Sequence, residues 1–322
     1  MEAVLTPERP VVGVDLGGTK TLALLVDSVS PGAVLSERQA PTPASGTEIV
    51  DSICSLVRGL AEQVGEVVAV GIGLAALLGQ DHVAWEAPNA KALIGLDVGG
   101  EVERRLQVPT VVDNDANCAA RAEQDLGLGR SVQSLLLVTL GTGIGGGIVL
   151  DGSLYRGHRG SAGEPGHMVI DPEGPLCPCG QRGCWERFAS GSGLAWLARE
   201  AIGDGRASSV LRAVGGNTED VTGELVVELA ATGDGAANEV VDTFARWVAL
   251  GVANLVNIFD PEAIVIGGGL APLGDMLIER VRASFLEYPL ASRRNPPVEI
   301  ALTGLGPRAG ALGAALIASA AG

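Results

Sequence analysis

The feature that most constrains the fold is an apolar strand–turn–strand unit that occurs twice in the chain. Val14-Asp15-Leu16-Gly17 can be set over Val138-Thr139-Leu140-Gly141, and the two segments continue without a gap as far as Asp27 and Asp151. In each unit a β run ends in a glycine turn and a second β run follows, as in a β-hairpin. Chance similarity of two apolar hairpins is the alternative, but the shared register favours an internal duplication and therefore two domains.

Strand and helix patterns alternate along the rest of the chain, which predicts an α/β fold. A length of 322 residues suits two domains. We expect an N-terminal α/β domain over residues 1–120, a larger domain over 121–305, and a C-terminal helix over about 306–322 that packs on the first domain. The cleft between the domains is the expected ligand site. Predicted helices are 46–65, 98–106, 116–126, 194–201, 221–231, 238–259 and 273–286; further predicted strands are 67–72, 110–113, 263–266 and 298–301.

The charge and the apolar pattern exclude several classes of partner. The formal net charge is −16, so nucleic acid and anionic membrane surfaces are disfavoured. No apolar secretory segment opens the chain, and glycine interrupts the apolar runs before they reach the ~18 residues of a membrane span. A cytoplasmic location is therefore expected. In a reducing compartment, three cysteines within eight residues indicate a metal site more strongly than a disulfide.

Two glycine turns could hold phosphate through backbone amides. The first, Asp15-Leu16-Gly17-Gly18-Thr19-Lys20, lacks the Gly-Lys-Ser/Thr ending of a Walker A loop. The second, Gly141 to Gly146, matches G-x-G-x-x-G, but a β run and not a helix follows it, so a dinucleotide fingerprint is rejected. Either turn alone could simply close a hairpin.

A β run ends at Asp113-Asn114-Asp115, where a helix is predicted to begin. Asn114 or Asp115 could simply cap this helix. Asp115 could also accept the proton of a sugar hydroxyl, and the two roles are compatible. We expect the helix N-terminus to stabilise the carboxylate and to lower its pKa. A weak base is adequate for phosphoryl transfer, because its transition state is loose.

The strongest signal is one histidine followed by three cysteines, at His167, Cys177, Cys179 and Cys184. One imidazole and three thiolates suit a closed tetrahedral site, which is the pattern of structural zinc. The spacing is not that of a zinc finger. Four protein ligands leave no open coordination position, so this metal would not be the catalytic one. Four unrelated buried residues are the alternative.

Together these segments resemble the ROK family, whose members include sugar kinases and sugar-responsive repressors. Residues 157–194 are similar to the family signature, and the resemblance covers nearly the whole chain. Within the family it is most similar to the bacterial ATP-dependent glucokinases. It implies an α/β, two-domain actin-like ATPase (ribonuclease H-like) fold with a cleft between the domains. The motifs are Gly163-Glu164-x-Gly166-His167, Cys177-x-Cys179-Gly180, Gly183-Cys184-x-Glu186, Ala189-Ser190-Gly191, Asp15 to Lys20, Asn114 to Asn117 and Thr139 to Gly147.

The resemblance also implies individual roles. Asp115 would be the catalytic base, and His167 would bind sugar through one ring nitrogen and zinc through the other. Asp15 would organise Mg²⁺ through water, and Cys177, Cys179 and Cys184 would complete the zinc site. The sugar-binding residues would be Asn114, Asp115, Glu164, His167 and Glu186. The residues that bind ATP would be Asp15, Gly17, Gly18, Thr19, Lys20, Thr142, Gly143, Gly267, Gly268 and Gly269.

The implied activity is ATP-dependent phosphorylation of a hexose, with glucose converted to glucose 6-phosphate as the first candidate. Kinases for N-acetylhexosamines, mannose or allose stay open, since the same carboxylates would hold these sugars. After Gly71-Ile72-Gly73, where the family usually has a Pro-Gly turn, the chain reads Leu74-Ala75-Ala76-Leu77-Leu78. A catalytically degenerate sugar-binding protein is therefore the non-enzyme alternative. A repressor is disfavoured, because only ten residues precede Val11. Polyphosphate is disfavoured as donor by the acidic charge, and the resemblance implies a homodimer or higher homo-oligomer.

Overall fold

A computed structural model describes residues 8–87, 90–270 and 274–321, and it divides into two compact units. The first unit comprises the described parts of residues 1–134, 147–163 and 304–322, and the second those of 135–146 and 164–303. The sequence placed the first boundary at residue 120. In the structure the chain leaves the first unit after Ser134 and returns to it for residues 147–163. Gly322, the end of the expected C-terminal helix, lies outside the described residues.

The first unit is built on a five-stranded sheet. Its strands are β1 (Pro10–Leu16), β2 (Lys20–Asp27), β3 (Ser30–Pro41), β4 (Ala69–Leu74) and β7 (Thr110–Asn114), and the unit also has the small strands β5 (Leu77–Leu78), β6 (Ala84–Glu86) and β10 (Ser153–Leu154). The order in the sheet is β3-β2-β1-β4-β7. β1 pairs antiparallel with β2 and parallel with β4, and β7 runs parallel to β4. Every residue of β4 is buried, as expected for a central strand that is covered on both faces.

Glycine lets one helix of this unit lie directly on the sheet. The helices are α1 (Gly46–Ala61), α2 (Val98–Leu106), α3 (Asp115–Leu126) and α11 (Ala309–Ala321). A Cβ on Gly13 of β1 would lie 1.9 Å from the Ala311 carbonyl oxygen, and one on Gly71 of β4 would lie 1.9 Å from that of Ala314. The backbone of α11 therefore approaches β1 and β4 more closely than any side chain at these positions would allow.

The second unit contains a sheet in the order β9-β8-β11-β12, with β11 parallel to both neighbours. Its strands are β8 (Leu135–Leu140), β9 (Ile144–Leu150), β11 (Ala263–Gly267) and β12 (Glu299–Leu302). The last residues of β9 belong to the first unit, where Leu150 and Val149 pair with β10.

A long central helix organises the rest of the second unit. Phe244, Val248 and Val252 of α8 (Gly235–Phe259) are fully buried. The ring of Phe188 packs on Trp247 of the same helix at a centroid distance of 4.4 Å. The other helices are α4 (Glu186–Ala189), α5 (Gly191–Gly203), α6 (Ser208–Ala213), α7 (Gly223–Ala231), α9 (Gly274–Phe285) and α10 (Pro289–Ser292).

The predicted strands and helices are found with small shifts at their ends, and Leu273, the start of the predicted helix 273–286, lies outside the described residues. Sequence reasoning missed several elements. The longest is β3, which lies at the edge of its sheet and is mostly exposed. Its Ser, Glu, Arg and Gln residues suit a solvated edge strand and hide the apolar alternation that marks an inner one. The others are short: β5, β6, β10, α4, α6 and α10. Across the described ranges, no helix has the length and apolar character needed to cross a membrane.

Candidate active site

The first candidate phosphate loop, which follows β1, is a tight turn held by the residue after β3. The Gly17 N–H donates to the Lys20 carbonyl at 3.0 Å. The Thr42 hydroxyl donates to the Gly17 carbonyl at 2.7 Å, and the Thr42 N–H donates to the Thr19 carbonyl at 3.0 Å. Gly18, Thr19 and Lys20 are exposed, so a ligand can reach this turn. Sequence reasoning missed Thr42, since it follows the strand that was not predicted.

Asp15 precedes this loop in a charged and poorly hydrated position. Burial raises its pKa from the usual 3.8 to about 7; the Asp115 carboxylate adds to the rise, and the Lys20 ammonium opposes it. The first turn of α11 closes over the carboxyl group, because a Cβ on Gly310 would lie 2.8 Å from Asp15 Cγ. The first unit therefore brings Asp15, Asp115 and Lys20 together, three residues that the sequence had singled out.

Asp115 is the first residue of α3, and its neighbour Asn114 is the N-cap. The Asn114 side-chain oxygen accepts a hydrogen bond from the Asn117 N–H at 3.0 Å, and Asp115 Oδ1 accepts one from the Ala116 N–H at 2.8 Å. Even so, the pKa of Asp115 is raised to about 6, because burial outweighs the hydrogen bonds from the Ala116 and Asp115 N–H groups and from the Asn114 side chain. The lowered pKa expected from the sequence is wrong: desolvation exceeds the stabilisation by the helix N-terminus. A carboxylate that titrates near 6 suits a general base at neutral pH.

Asp113, one residue before the cap, is a buried carboxylate with four donors. Its Oδ2 accepts from Arg156 Nε at 2.8 Å and from Arg156 Nη2 at 2.6 Å. Its Oδ1 accepts from the Asn114 N–H at 2.8 Å and from Asn117 Nδ2 at 3.0 Å. The pair thus fixes the backbone that carries Asn114 and Asp115. Arg156 was missed, and the sequence holds no signal for a partner this far along the chain.

The segment that follows β4 contacts one of the candidate sugar ligands. Asn114 Nδ2 donates to the Ala76 carbonyl at 3.2 Å, and the Ala75 N–H donates to the Leu16 carbonyl at 3.4 Å. The Asn114 amide therefore joins the start of α3 to the segment Leu74 to Leu78.

In the second unit, the two other glycine loops lie side by side. Gly141 and Gly143 close a turn through an N–H···O=C bond of 3.0 Å. Gly268, with φ of +90°, packs so tightly that a Cβ would lie 2.6 Å from the Leu140 carbonyl oxygen. A Cβ on Gly141 would lie 4.0 Å from the Gly269 nitrogen. The start of the turn that carries Thr142 and Gly143 therefore lies against Gly268 and Gly269.

The second candidate phosphate loop, which begins at Gly141, is also bonded to the start of α5. The Gly191 N–H donates to the Gly141 carbonyl at 2.7 Å, and the Ser192 hydroxyl donates to the Thr142 carbonyl at 3.1 Å. Ser190, buried as the N-cap of α5, donates its hydroxyl to the Glu186 carbonyl at 2.6 Å. The role of Ser192 was not foreseen, although Ala189-Ser190-Gly191 was noted as a motif.

His167, Cys177, Cys179 and Cys184 converge. Their potential ligand atoms all lie within 4.8 Å of one another. The Cys179 and Cys184 sulfurs are 3.6 Å apart, and Cys177 Sγ lies 3.9 Å from His167 Nδ1. Zinc–sulfur bonds of about 2.3 Å in a tetrahedron require ligand atoms about 3.8 Å apart. The donor set and its spacing therefore fit a zinc ion.

Glu186 and Glu164 flank this quartet. Glu186 begins α4, and its Oε1 lies 3.1 Å from Cys177 Sγ and 4.0 Å from His167 Nδ1. Glu164 precedes the turn Pro165–His167, and its carbonyl accepts from the His167 N–H at 3.2 Å. Glu164, His167 and Glu186 belong to the second unit, and Asn114 and Asp115 belong to the first.

Two units, each with a hairpin closed by a glycine turn, and a third glycine loop after β11 match the actin-like ATPase fold shared by ROK sugar kinases. The model of the ROK family matches residues 11–321, and the chain belongs to this family. The fold and the family expected from the motifs are therefore confirmed.

Three relatives bear on the substrate. Glucokinase from Streptomyces coelicolor is 40% identical over 316 residues, which cover 95% of this chain and 96% of the relative. The crystal structure of a ROK family glucokinase from Streptomyces griseus in complex with glucose and AMPPNP is 37% identical, has a TM-score of 0.84, and is matched over 96% of this chain and 99% of that one. N-acetylmannosamine kinase from Salmonella typhi is 32% identical over 314 residues, covering 95% of this chain and 97% of the relative.

Proposed function

We propose that this protein transfers the γ-phosphate of ATP to a hexose, with glucose as the substrate and glucose 6-phosphate as the product. The observation that carries this proposal is the likeness to the Streptomyces griseus glucokinase bound to glucose and AMPPNP. It extends over nearly the full length of both chains, and this chain keeps each loop and carboxylate that the reaction needs.

In this reaction Asp115 orients the 6-hydroxyl of the sugar and takes its proton as the oxygen attacks the γ-phosphate. The raised pKa of about 6 supports this role, because the carboxylate is ionised at neutral pH and still basic enough to accept a proton. Asn114, Glu164, His167 and Glu186 bind the other sugar hydroxyls. Asp113 and Arg156 hold the backbone of Asn114 in place.

ATP is held by the glycine loops, whose amides stabilise the charge on the phosphates. Gly17, Gly18, Thr19 and Lys20 form the exposed turn of the first unit, and Thr142, Gly143 and residues Gly267 to Gly269 form the paired turns of the second. Asp15 is the carboxyl group that would hold Mg²⁺ through water. Its high pKa fits a group that a nearby divalent cation would return to the ionised form. When bound, Mg²⁺ neutralises charge that develops on the phosphates.

We also propose that zinc is the ion held by His167, Cys177, Cys179 and Cys184. When bound it would crosslink the segment that carries Glu164, His167 and Glu186, and with four protein ligands it would take no direct part in the chemistry. From the family we further propose a cytoplasmic location and a homodimer or higher homo-oligomer.

The test is ADP release by the purified protein with Mg-ATP and one sugar at a time, across glucose, mannose, allose, N-acetylglucosamine and N-acetylmannosamine. Turnover on glucose with a kcat/KM at least tenfold above that of the other sugars supports the proposal. No ADP release with any of the five sugars, from folded and zinc-loaded protein, contradicts it.

N-acetylmannosamine is the second candidate substrate. Two observations favour it: the kinase from Salmonella typhi, at 32% identity over 95% of this chain, and the altered segment Leu74 to Leu78, which touches the candidate sugar ligand Asn114. In the same assay, preferred turnover of N-acetylmannosamine would replace glucose as the substrate and leave the proposed roles of Asp115 and ATP in place.

A further inference from the structure

The second phosphate loop and the candidate sugar ligand Glu186 share one contact. An ideal Cβ on Gly143 would lie 2.7 Å from Glu186 Oε2 and 3.7 Å from Glu186 Cδ. Among the described residues, apart from the chain neighbours of Gly143, no other atom comes within 4 Å of that position. The space that a side chain at residue 143 would need is therefore filled by the carboxyl group of Glu186 alone.

The backbone on both sides of this contact is held in place. The loop is fixed by the bonds of Gly141 to Gly143 and to Gly191, and by the bond of Thr142 to Ser192. The Glu186 carbonyl is fixed by the buried Ser190 hydroxyl. A methyl group at residue 143 would therefore be accommodated by rotation of the Glu186 side chain, since a flexible side chain moves at lower cost than a bonded backbone.

We propose that Gly143 is a positioning residue for the sugar site: its missing side chain sets where the Glu186 carboxylate lies. This inference rests on the proposed function, because it takes Glu186 as a ligand of the sugar. The loop that sequence motifs assign to ATP thus also contacts the Glu186 carboxylate, which is proposed to bind the sugar. Anything that shifts Gly143 shifts Glu186, and by linkage a sugar held by Glu186 resists movement of the loop.

The chain offers a matched control in the same loop. Gly141 and Gly143 both have ordinary φ values, so alanine strains the backbone at neither. A Cβ on Gly141 meets only the Gly269 nitrogen, at 4.0 Å, which is an ordinary contact distance. Gly143→Ala displaces the Glu186 carboxylate and Gly141→Ala does not, although both add one methyl group to the phosphate loop.

The experiment measures glucose binding to nucleotide-free protein by calorimetry for the wild type and both variants. We expect Gly143→Ala to weaken glucose binding by about tenfold or more, as for a lost hydrogen bond to a charged group, and Gly141→Ala to stay within about twofold of the wild type. Because no nucleotide is present, damage to the ATP site cannot produce this difference. Equal glucose affinity in the wild type and Gly143→Ala would overturn the proposal.

Crystal structures of the two variants separate this inference from the proposed function. Binding of no glucose by the wild type would contradict the proposed substrate, and the structures would still decide the contact. A Glu186 carboxylate moved away from Cys177 in Gly143→Ala, and unmoved in Gly141→Ala, upholds the positioning role. An unmoved carboxylate in Gly143→Ala refutes it.

Discussion

Gly251 of α8 lies against the indole ring of Trp185, so closely that a Cβ at residue 251 would be 2.0 Å from Trp185 Cε2. The indole is fully buried, and its Nε1–H donates to the Trp247 carbonyl at 2.8 Å. Trp185 stands between Cys184 and Glu186 in the chain. The core of the second unit therefore anchors, through one side chain, the backbone between Cys184 of the candidate zinc site and Glu186, the candidate sugar ligand.

Gly251→Ala should overpack this contact and destabilise the protein by about 1–3 kcal/mol. The change is measured by thermal or denaturant unfolding. Gly235→Ala, at the start of the same helix, is the control, because a Cβ there meets nothing within 4 Å; it should leave the unfolding midpoint unchanged or raise it. Equal midpoints for Gly251→Ala and the wild type would show that the helix can move away from the indole.

Asp115→Asn should lower kcat by about 100-fold or more, since the general base is lost. The fold should survive, because an asparagine oxygen can still accept from the Ala116 N–H. Steady-state kinetics and the unfolding midpoint are measured together. Asp97→Asn is the matched control: Asp97 caps α2 by accepting from Gly100 at 2.8 Å, and asparagine caps equally well. If the kcat of Asp115→Asn stays within a few-fold of the wild-type kcat, Asp115 is not the general base.

The Asp15 carboxyl should make stability depend on pH in metal-free and nucleotide-free buffer. Its pKa is raised from 3.8 to about 7 by burial and by Asp115, so between these values the folded state holds a proton that the unfolded state has lost. The stabilisation is therefore complete below about pH 4 and is lost as the pH rises through about 7. The unfolding midpoint of Asp15→Asn, measured relative to that of the wild type, should therefore rise from pH 4 to pH 7.

Asp27→Asn is the control with the opposite sign. The N–H groups of Val29, Glu8 and Arg9 lower the pKa of Asp27, so its contribution is present above about pH 4 and is lost only as the pH falls further. The difference between this variant and the wild type should stay constant from pH 5 to pH 8. A constant difference for Asp15→Asn over the same range would mean that its carboxyl is ionised throughout.

Zinc should co-purify at about one ion per chain, and Cys179→Ala should abolish its retention. Cys179 is exposed, so its truncation costs little packing, and a lower unfolding midpoint in this variant would report the lost metal. Metal content is measured by mass spectrometry. Cys54→Ala is the counterpart, since Cys54 is buried in α1 outside the quartet; it should destabilise through a small cavity and retain the ion. Full zinc content in Cys179→Ala would exclude this thiol as a ligand.

Local sequence was enough to predict the parts of the site whose members are close in the chain. The glycine turns and the quartet from His167 to Cys184 follow from spacing alone, because short loops keep their ends together. Thr42, Arg156 and Ser192 act on partners 25, 43 and 50 residues away, and no local pattern marks such contacts. The direction of the Asp115 pKa shift was predicted wrongly, because the balance between burial and helix N-terminus depends on what covers the carboxyl group.

The close packing of α11 on β1 and β4 has a consequence for folding during translation. Ala311, Leu312, Ala315 and Leu316 complete a core cluster with Val11 and Leu24, residues translated some three hundred positions earlier. Until residues 309–321 leave the ribosome, after every part of the second unit, that face of the first sheet lacks its cover. The nascent chain must therefore carry an unfinished apolar surface through most of its translation, a period in which chaperone binding and misassembly compete with folding.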